Sequence, residues 1–369
     1  MAQHRSFVVV LVLAAAALSG MPVRAEHSAN AGIYVRQDSN ATRVISPRVK
    51  ARAALGGDTT HIDAAYAVDV WTSASVDIVA SASQPVTEQR DELNLALDHV
   101  FGDVKLGGAY RLSKETDYES HGGSLSLSWD FASKATTLGW FGGGSADRVG
   151  RVGDLNFSEQ ASTLTSGVSL TQVLDQKTVL QVLYDVALVR GYQASAYRFV
   201  AFGSSGPCRA AAVFCLPERA PRERVRHAAA LRVRRALSDE TSLGASYRFY
   251  LDDWSLLSHT AKVDLAWAPQ PKSTISLSYR FYTQSAASFY QAAYSEQEVG
   301  RAYFTRDREL SPLTTHRVAL EWDWLWDVGA SDLMTALAIA PTFYAYANFP
   351  MLRQASALEV TLVTGMEFP

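Results

Sequence analysis

The chain has 369 residues, enough for two soluble domains or one large barrel, and its 34 basic against 37 acidic residues give a formal net charge of −3. A nucleic-acid-binding domain meets the phosphate backbone with a basic surface, so this balance argues against that class. Hydrophobic residues make up 48% of the chain, yet beyond Ala25 no apolar run is long enough for a spanning helix; hydrophobicity is spread in alternation.

At the N-terminus Arg5 precedes an apolar run from Phe7 to Leu18, and Val23-Arg24-Ala25 resembles the small-x-small site cut by signal peptidase. Residues 1–25 are therefore read as a cleavable signal peptide and 26–369 as one exported domain. Removing Arg5 and Arg24 leaves a mature net charge near −5.

Gly32 to Gln37 reads as a short first strand and Val44 to Leu55 as the second, with Ile45, Val49, Ala51, Ala53 and Leu55 on one face and Ser46, Arg48, Lys50 and Arg52 on the other. Gly56-Gly57-Asp58 turns the chain into a third strand bearing Ile62, Ala64, Tyr66, Val68 and Val70. Thr72 to Arg90, rich in Ser and Ala, breaks the alternation and reads as a long loop.

The clearest periodicity follows. Leu93, Leu95, Leu97 and Phe101 share a face; after the Gly102-Asp103 turn, so do Val104, Leu106, Tyr110 and Leu112; then Leu125, Leu127, Trp129 and Phe131 alternate with Ser124, Ser126, Ser128 and Asp130. Ala132-Ser133-Lys134 turns into a strand around Leu138 and Trp140. Gly142-Gly143-Gly144 and the stretch to Asp154 read as the next long loop, since they lack the helix context of a phosphate-binding loop.

Gln160 to Leu174 pairs with Thr178 to Arg190 through Asp175-Gln176. Arg224 to Leu237, Leu243 to Leu251, Leu257 to Trp267, Ile275 to Gln284, Arg317 to Trp326 and Thr335 to Tyr346 continue the pattern, with Pro269-Gln270-Pro271 as one turn and Ala286 to Pro312 as the longest late loop. The final strand, Ala357 to Phe368, ends on an aromatic residue followed by Pro369.

Short and long connections alternate throughout. The expectation is an all-β, transmembrane, antiparallel up-and-down β-barrel of about 16 strands in the outer membrane, with short periplasmic turns, longer extracellular loops and both termini periplasmic. Trp322, Trp324 and Trp326 on one strand face suit a membrane-interface belt better than a soluble sandwich.

The segments Tyr247-Arg248-Phe249-Tyr250-Leu251-Asp252-Asp253-Trp254, Tyr279-Arg280-Phe281-Tyr282-Thr283-Gln284 with Ala286-Ala287-Ser288-Phe289-Tyr290, and Arg306-Asp307-Arg308-Glu309-Leu310 resemble a bacterial family of uncharacterised exported proteins predicted to be outer-membrane barrels. Asp69 with Ser73-Ala74-Ser75, Arg90, Ser113, Glu115, Asp117, Tyr118 and Ser120 agree with it. The resemblance implies a fold and a location; it implies no established activity.

Alternation assigns Arg224, Arg226, Arg232, Arg234, Arg248, Tyr250, Asp252, Lys262, Asp264, Arg280, Tyr282, Gln284 and Arg317 to the barrel interior, because a charge on the lipid face costs about 2 to 4 kcal/mol at mid-membrane. Such a wall either holds strand register through ion pairs or forms a strip for a small anionic solute. Cys208 and Cys215, close together in an exported chain, are expected to close a local disulfide; a metal site there would need more ligands. Asp252-Asp253 and Asp117 are the acids best placed for a hard divalent cation at the rim, although acids in turns more often pair with arginine.

No motif sets a nucleophile beside a base, and His227 and His259 fall on the lipid face, so no catalytic residue, metal or cofactor is assigned. The reading is a pore or transport component rather than an enzyme, embedded in outer-membrane lipid. The alternative is a structural or assembly barrel that holds a periplasmic or surface partner protein, and an outer-membrane enzyme is a weaker third.

Overall fold

A side chain on alternate faces at every step lets one strand present lipid-compatible residues outward and polar residues inward, and the wall is built from such strands. The computed structural model describes residues 27–56, 59–73, 86–206, 208, 214–329, 331–349 and 351–368. The signal-peptide reading and Pro369 lie outside them.

The first nine strands are antiparallel neighbours in chain order: β1 (His27–Asp38), β2 (Thr42–Leu55), β3 (Thr60–Ser73), β4 (Val86–Phe101), β5 (Val104–Lys114), β6 (Tyr118–Phe131), β7 (Thr136–Val149), β8 (Glu159–Asp175) and β9 (Thr178–Gly191). β10 (Phe199–Phe202) and β11 (Phe214–Pro217) make a separate hairpin. The wall resumes with β12 (Glu223–Ala236), β13 (Thr241–Asp252), β14 (Leu257–Gln270), β15 (Ser273–Gln284), β16 (Leu313–Val328), β17 (Ser331–Tyr346) and β18 (Gln354–Phe368). β18 pairs with β1 from His27↔Phe368 to Asp38↔Ala357, which closes a barrel of sixteen strands. Closure leaves no unpaired edge among the described wall strands.

One end carries short connections, such as 102–103 and 271–272; the other carries the long ones, 150–158, 192–222 and 285–312. These are the periplasmic turns and extracellular loops of an outer-membrane barrel.

Three expectations need correction. Gly142-Gly143-Gly144 are not loop: they lie within β7, where a Cβ on Gly143 would come 2.8 Å from the Gly123 carbonyl oxygen. Thr72 and Ser73 belong to β3 and Val86 to Arg90 to β4, so the connection between them is shorter than the composition suggests. Pro269 and Gln270 remain in β14, with a register shift between Trp267 and Gln270.

On the outer face, Trp129 and Phe131, Trp267, and Trp322, Trp324 and Trp326 gather near the periplasmic turns; the Trp324 ring lies 5.6 Å from Trp322 and 5.2 Å from Trp326. Nearer the long loops four tyrosines each meet a histidine of the next wall strand: Tyr110–His121, Tyr184–His227, Tyr247–His259 and Tyr279–His316, with hydroxyl to Nδ1 distances of 2.6–2.8 Å. Each pair is diagonal, since Tyr110 stands directly opposite Gly123 and His121 opposite Leu112.

Candidate functional site

Ion pairs between strands two apart, Arg52–Asp98 at 3.3 Å and Arg317–Glu359 at 3.0 Å, form on the concave side of the wall. Register then places on this same face every lumen residue expected from the alternation.

The sector from β2 to β5 is balanced. Asp63 takes Lys50 and Arg52, each at 2.9 Å; Asp98 takes Arg52, His61 at 2.9 Å and Lys105 at 3.1 Å; Glu92 takes Arg111 and Asp69 takes Arg90. These residues were absent from the sequence-derived set, although Arg48, Lys50 and Arg52 already shared a polar face. What was missing was register, which brings their acids alongside.

The opposite sector is different. Arg224 binds Asp252 at 2.5 Å beneath the Trp254 ring, and Tyr250 donates to the same carboxylate at 2.7 Å. The other oxygen of Asp252 accepts the Leu256 amide at 3.0 Å, so this acid is committed to the β13–β14 turn. Arg226 stands opposite Asp252 in register, and its Nε is buried without a partner among the described residues. Arg234 binds Asp264 at 2.5 Å, and Arg248 approaches Asp185 at 3.6 Å. Tyr282 donates to Gln284 at 2.5 Å, and Gln284 in turn reaches the carbonyls of Glu309 and Ser311.

Across this wall one rung runs Gln181, Arg232, Ser246, Lys262, Arg280, Arg317, Thr342 through directly paired positions. It holds four cations and no acid. Lys262, Arg280 and Arg317 are direct neighbours, an arrangement that like-charge repulsion disfavours. Asp264 lies 3.9 Å from Lys262, and Glu359 offsets Arg317; among the described residues Arg232 takes Gln181 at 3.3 Å and Arg280 has no ion-pair partner. A recess of about 470 Å³ opens beside the rung, between Gln181, Arg232, Arg234, Lys262 and Asp264. Arg234, Arg248 and Lys262 keep about half of their side-chain surface exposed, so this wall is open to solvent on its lumen side.

At the extracellular end, the described residues of 192–222 and segment 285–312 fold toward each other as a cap. Its apolar centre is Val200, Phe202, Tyr294 and Phe304, all buried, with a second cluster of Trp254, Phe289 and Tyr290. Its polar centre is Glu218, which binds Arg198 at 3.1 Å and accepts from the Thr305 hydroxyl; Arg198 also holds Asp307 at 2.8 Å. Tyr197 bonds Asp117, Arg151 donates to the Ala196 carbonyl at 2.8 Å, and Tyr290 donates to the Asn348 carbonyl at 2.5 Å. The cap thus spans the mouth from the β5–β6 connection to the β17–β18 connection.

Among the rim acids, Glu88, Glu115 and Asp117 come together with carboxylate oxygens within 4.8 Å of one another, while Asp252 lies elsewhere, in its turn. Burial, with Asp117 and Asp69 adding, holds the Glu115 carboxyl above the ordinary carboxylate range despite Arg90. Cys208 and Cys215 are brought together as thiols, Cys215 Sγ donating to the Cys208 carbonyl at 3.3 Å.

In solved structures, the barrel is similar to a bacterial polysaccharide outer membrane secretin, with a TM-score of 0.52, 9% identity, and coverage of 94% of this chain and 98% of that one. It is also similar to OccK1 (OpdK) of Pseudomonas aeruginosa, with a TM-score of 0.47, 9% identity and coverage of 94% and 98%. The siderophore receptor PirA of Acinetobacter baumannii gives a TM-score of 0.48 at 12% identity over 88% of this chain, which spans about half, 54%, of PirA. At these identities the likeness is one of fold. No curated protein matches the chain in sequence. A family model described as "Protein of unknown function (DUF3570)" matches residues 76–164 and 154–325, a span that includes the three motif-bearing segments from Tyr247 to Leu310. Matched over more than half of its length, the chain belongs to the DUF3570 family.

Proposed function

We propose that the barrel is a pore or transport component for small anionic solutes, with Arg232, Lys262, Arg280 and Arg317 as its selectivity strip. The observation that carries this is the rung of four cations and no acid. Direct neighbours of like charge weaken a sheet unless water or a counter-anion separates them, and a half-exposed arginine in a confined lumen raises the local anion concentration. Ion pairs outside the rung, such as Lys50–Asp63 and Arg90–Asp69, already tie neighbouring strands together.

The cap favours a second reading. A barrel covered outside and wet inside would suit a structural or assembly component that holds a partner protein at its periplasmic end. Planar-bilayer reconstitution separates the two. A pore gives steady conductance with an anion-selective reversal potential, and R232Q/K262Q/R280Q moves that potential toward zero while the barrel still assembles. An unchanged potential in a conducting barrel rejects the strip, and absence of conductance with a stable partner complex supports the second reading.

A further inference from the structure

The outer face of β6 to β9 carries a charged feature that the lumen does not use. In register, His121, Ala146, Ser162 and Arg190 form one outward row, and Glu119, Arg148 and Gln160 form the next row toward the loops. Between them a recess of about 470 Å³ is floored by Ala146 and Ser162 and walled by His121, Arg148, Gln160 and Arg190. Toward the periplasm the same face becomes apolar and exposed at Leu125, Trp140 and Leu164.

The acids bordering the recess are occupied. Glu119 is held by His121 at 3.0 Å and Lys114 at 3.6 Å, and Glu223, beside Arg190 in register, is bound by it at 3.3 Å. Asp147 accepts from Ser120 at 2.5 Å and belongs to the lumen side. Arg148 stands opposite Glu119 and has no ion pair among the described residues. Two guanidinium forks therefore flank a small-residue floor where the lipid-facing wall meets the extracellular interface.

We propose that this recess binds the phosphorylated headgroup of an outer-leaflet lipid. Planar guanidinium groups match phosphate oxygens in pairs, and an ammonium does so less well. A free anion would gain charge contacts alone; an amphiphile also lays its chains along Leu125, Trp140 and Leu164, which is why the occupant is a lipid. The small side chains of Ala146 and Ser162 leave room for a headgroup between the arginines.

The test is native mass spectrometry of the full barrel in detergent, with bis-phosphorylated lipid A, its dephosphorylated form, and inorganic phosphate as competitor. Wild type is expected to retain the phosphorylated lipid at least about tenfold better than the dephosphorylated one, as loss of paired charge-assisted bonds implies. R148Q/R190Q should lose that preference. R235Q, which removes an outer-face cation beside the periplasmic turns, where Arg235 bonds Thr178, should keep it. Equal retention by R148Q/R190Q overturns the proposal, and so does displacement by millimolar phosphate, which would make the recess a free-anion site. Heat-dependent gel mobility reports folding. Should the double variant fail to fold, R148Q and R190Q are read singly, partial loss supporting the site and full retention overturning it.

Discussion

The Glu218 side chain is 3% exposed inside the cap, and burial, with Asp307 adding, raises its carboxyl above the ordinary range even though Arg198 opposes the shift. A carboxyl whose folded pKa exceeds its unfolded pKa favours the folded state most below the unfolded value, and that contribution is lost as pH rises through the folded value. The cap should therefore tighten as pH falls through that window, seen as slower hydrogen exchange at Phe304 and Thr305. E218Q should abolish the pH dependence, and E218A should loosen the cap by about 2 kcal/mol, because Asp307 still holds Arg198. Exchange that quickens on acidification would contradict this assignment. The same segment carries the cysteines, where burial and the Cys215 thiol push the Cys208 thiol up to about 12. In reduced, folded protein Cys208 should alkylate far more slowly than the thiols of unfolded chain. Protein recovered from an oxidising compartment, unfolded without reductant, should show no free thiol if the pair closes a disulfide; full labelling of both would exclude one. The burial of Glu218 could not be read from the sequence, since Thr305 and Asp307 reach it from a segment remote in the chain, and the diagonal Tyr–His contacts could not because they depend on strand register.

At the scale of the strand, β7 shows where alternation stops being informative. Leu138 and Trp140 set the face, but Gly142, Gly143 and Gly144 carry no side chain to continue it, so a strand reads as a loop. The structure supplies the reason: Gly143 lies against the Gly123 carbonyl and the Ser124 Cβ, while Gly142 lies beneath the Trp140 ring. G143V should disturb the β6–β7 pairing by about 1–3 kcal/mol and reduce the heat-resistant assembled fraction. The atoms nearest a Cβ at position 142 belong to the Trp140 ring, the far end of a side chain that can turn aside, so G142A should assemble nearly as well. Equal behaviour of the two variants would show that close backbone approach is not what fixes glycine at position 143. Elsewhere the strands were legible because Leu, Val and aromatic residues recur at every second position, and their ends strayed by a few residues because turns tolerate the same small residues as strands. The lumen face was legible for the same reason. The rung was not, because it depends on how each strand is offset from the next, and no single strand records that offset.

Across the whole molecule, connection lengths carried the architecture: short turns on one side and long loops on the other leave an up-and-down barrel as the arrangement that pairs every strand edge. Strand number followed from counting, whereas the cap escaped notice because its aromatic residues are scattered over loops and show no period. The outer face also holds two levels of amphipathic residues, the Trp129 level near the turns and the His121 level near the loops, both on β6. At about 3.3 Å per residue and a tilt near 40°, the strand between them climbs roughly 20 Å. That height is a gauge of membrane thickness written into the wall, and it is shorter than the roughly 30 Å hydrocarbon core of a typical bilayer. The barrel should fold fastest and resist heat longest in short-chain phosphatidylcholine, with both properties declining as acyl chains lengthen. Indifference to chain length would mean that the two levels follow the membrane surfaces rather than set the distance between them.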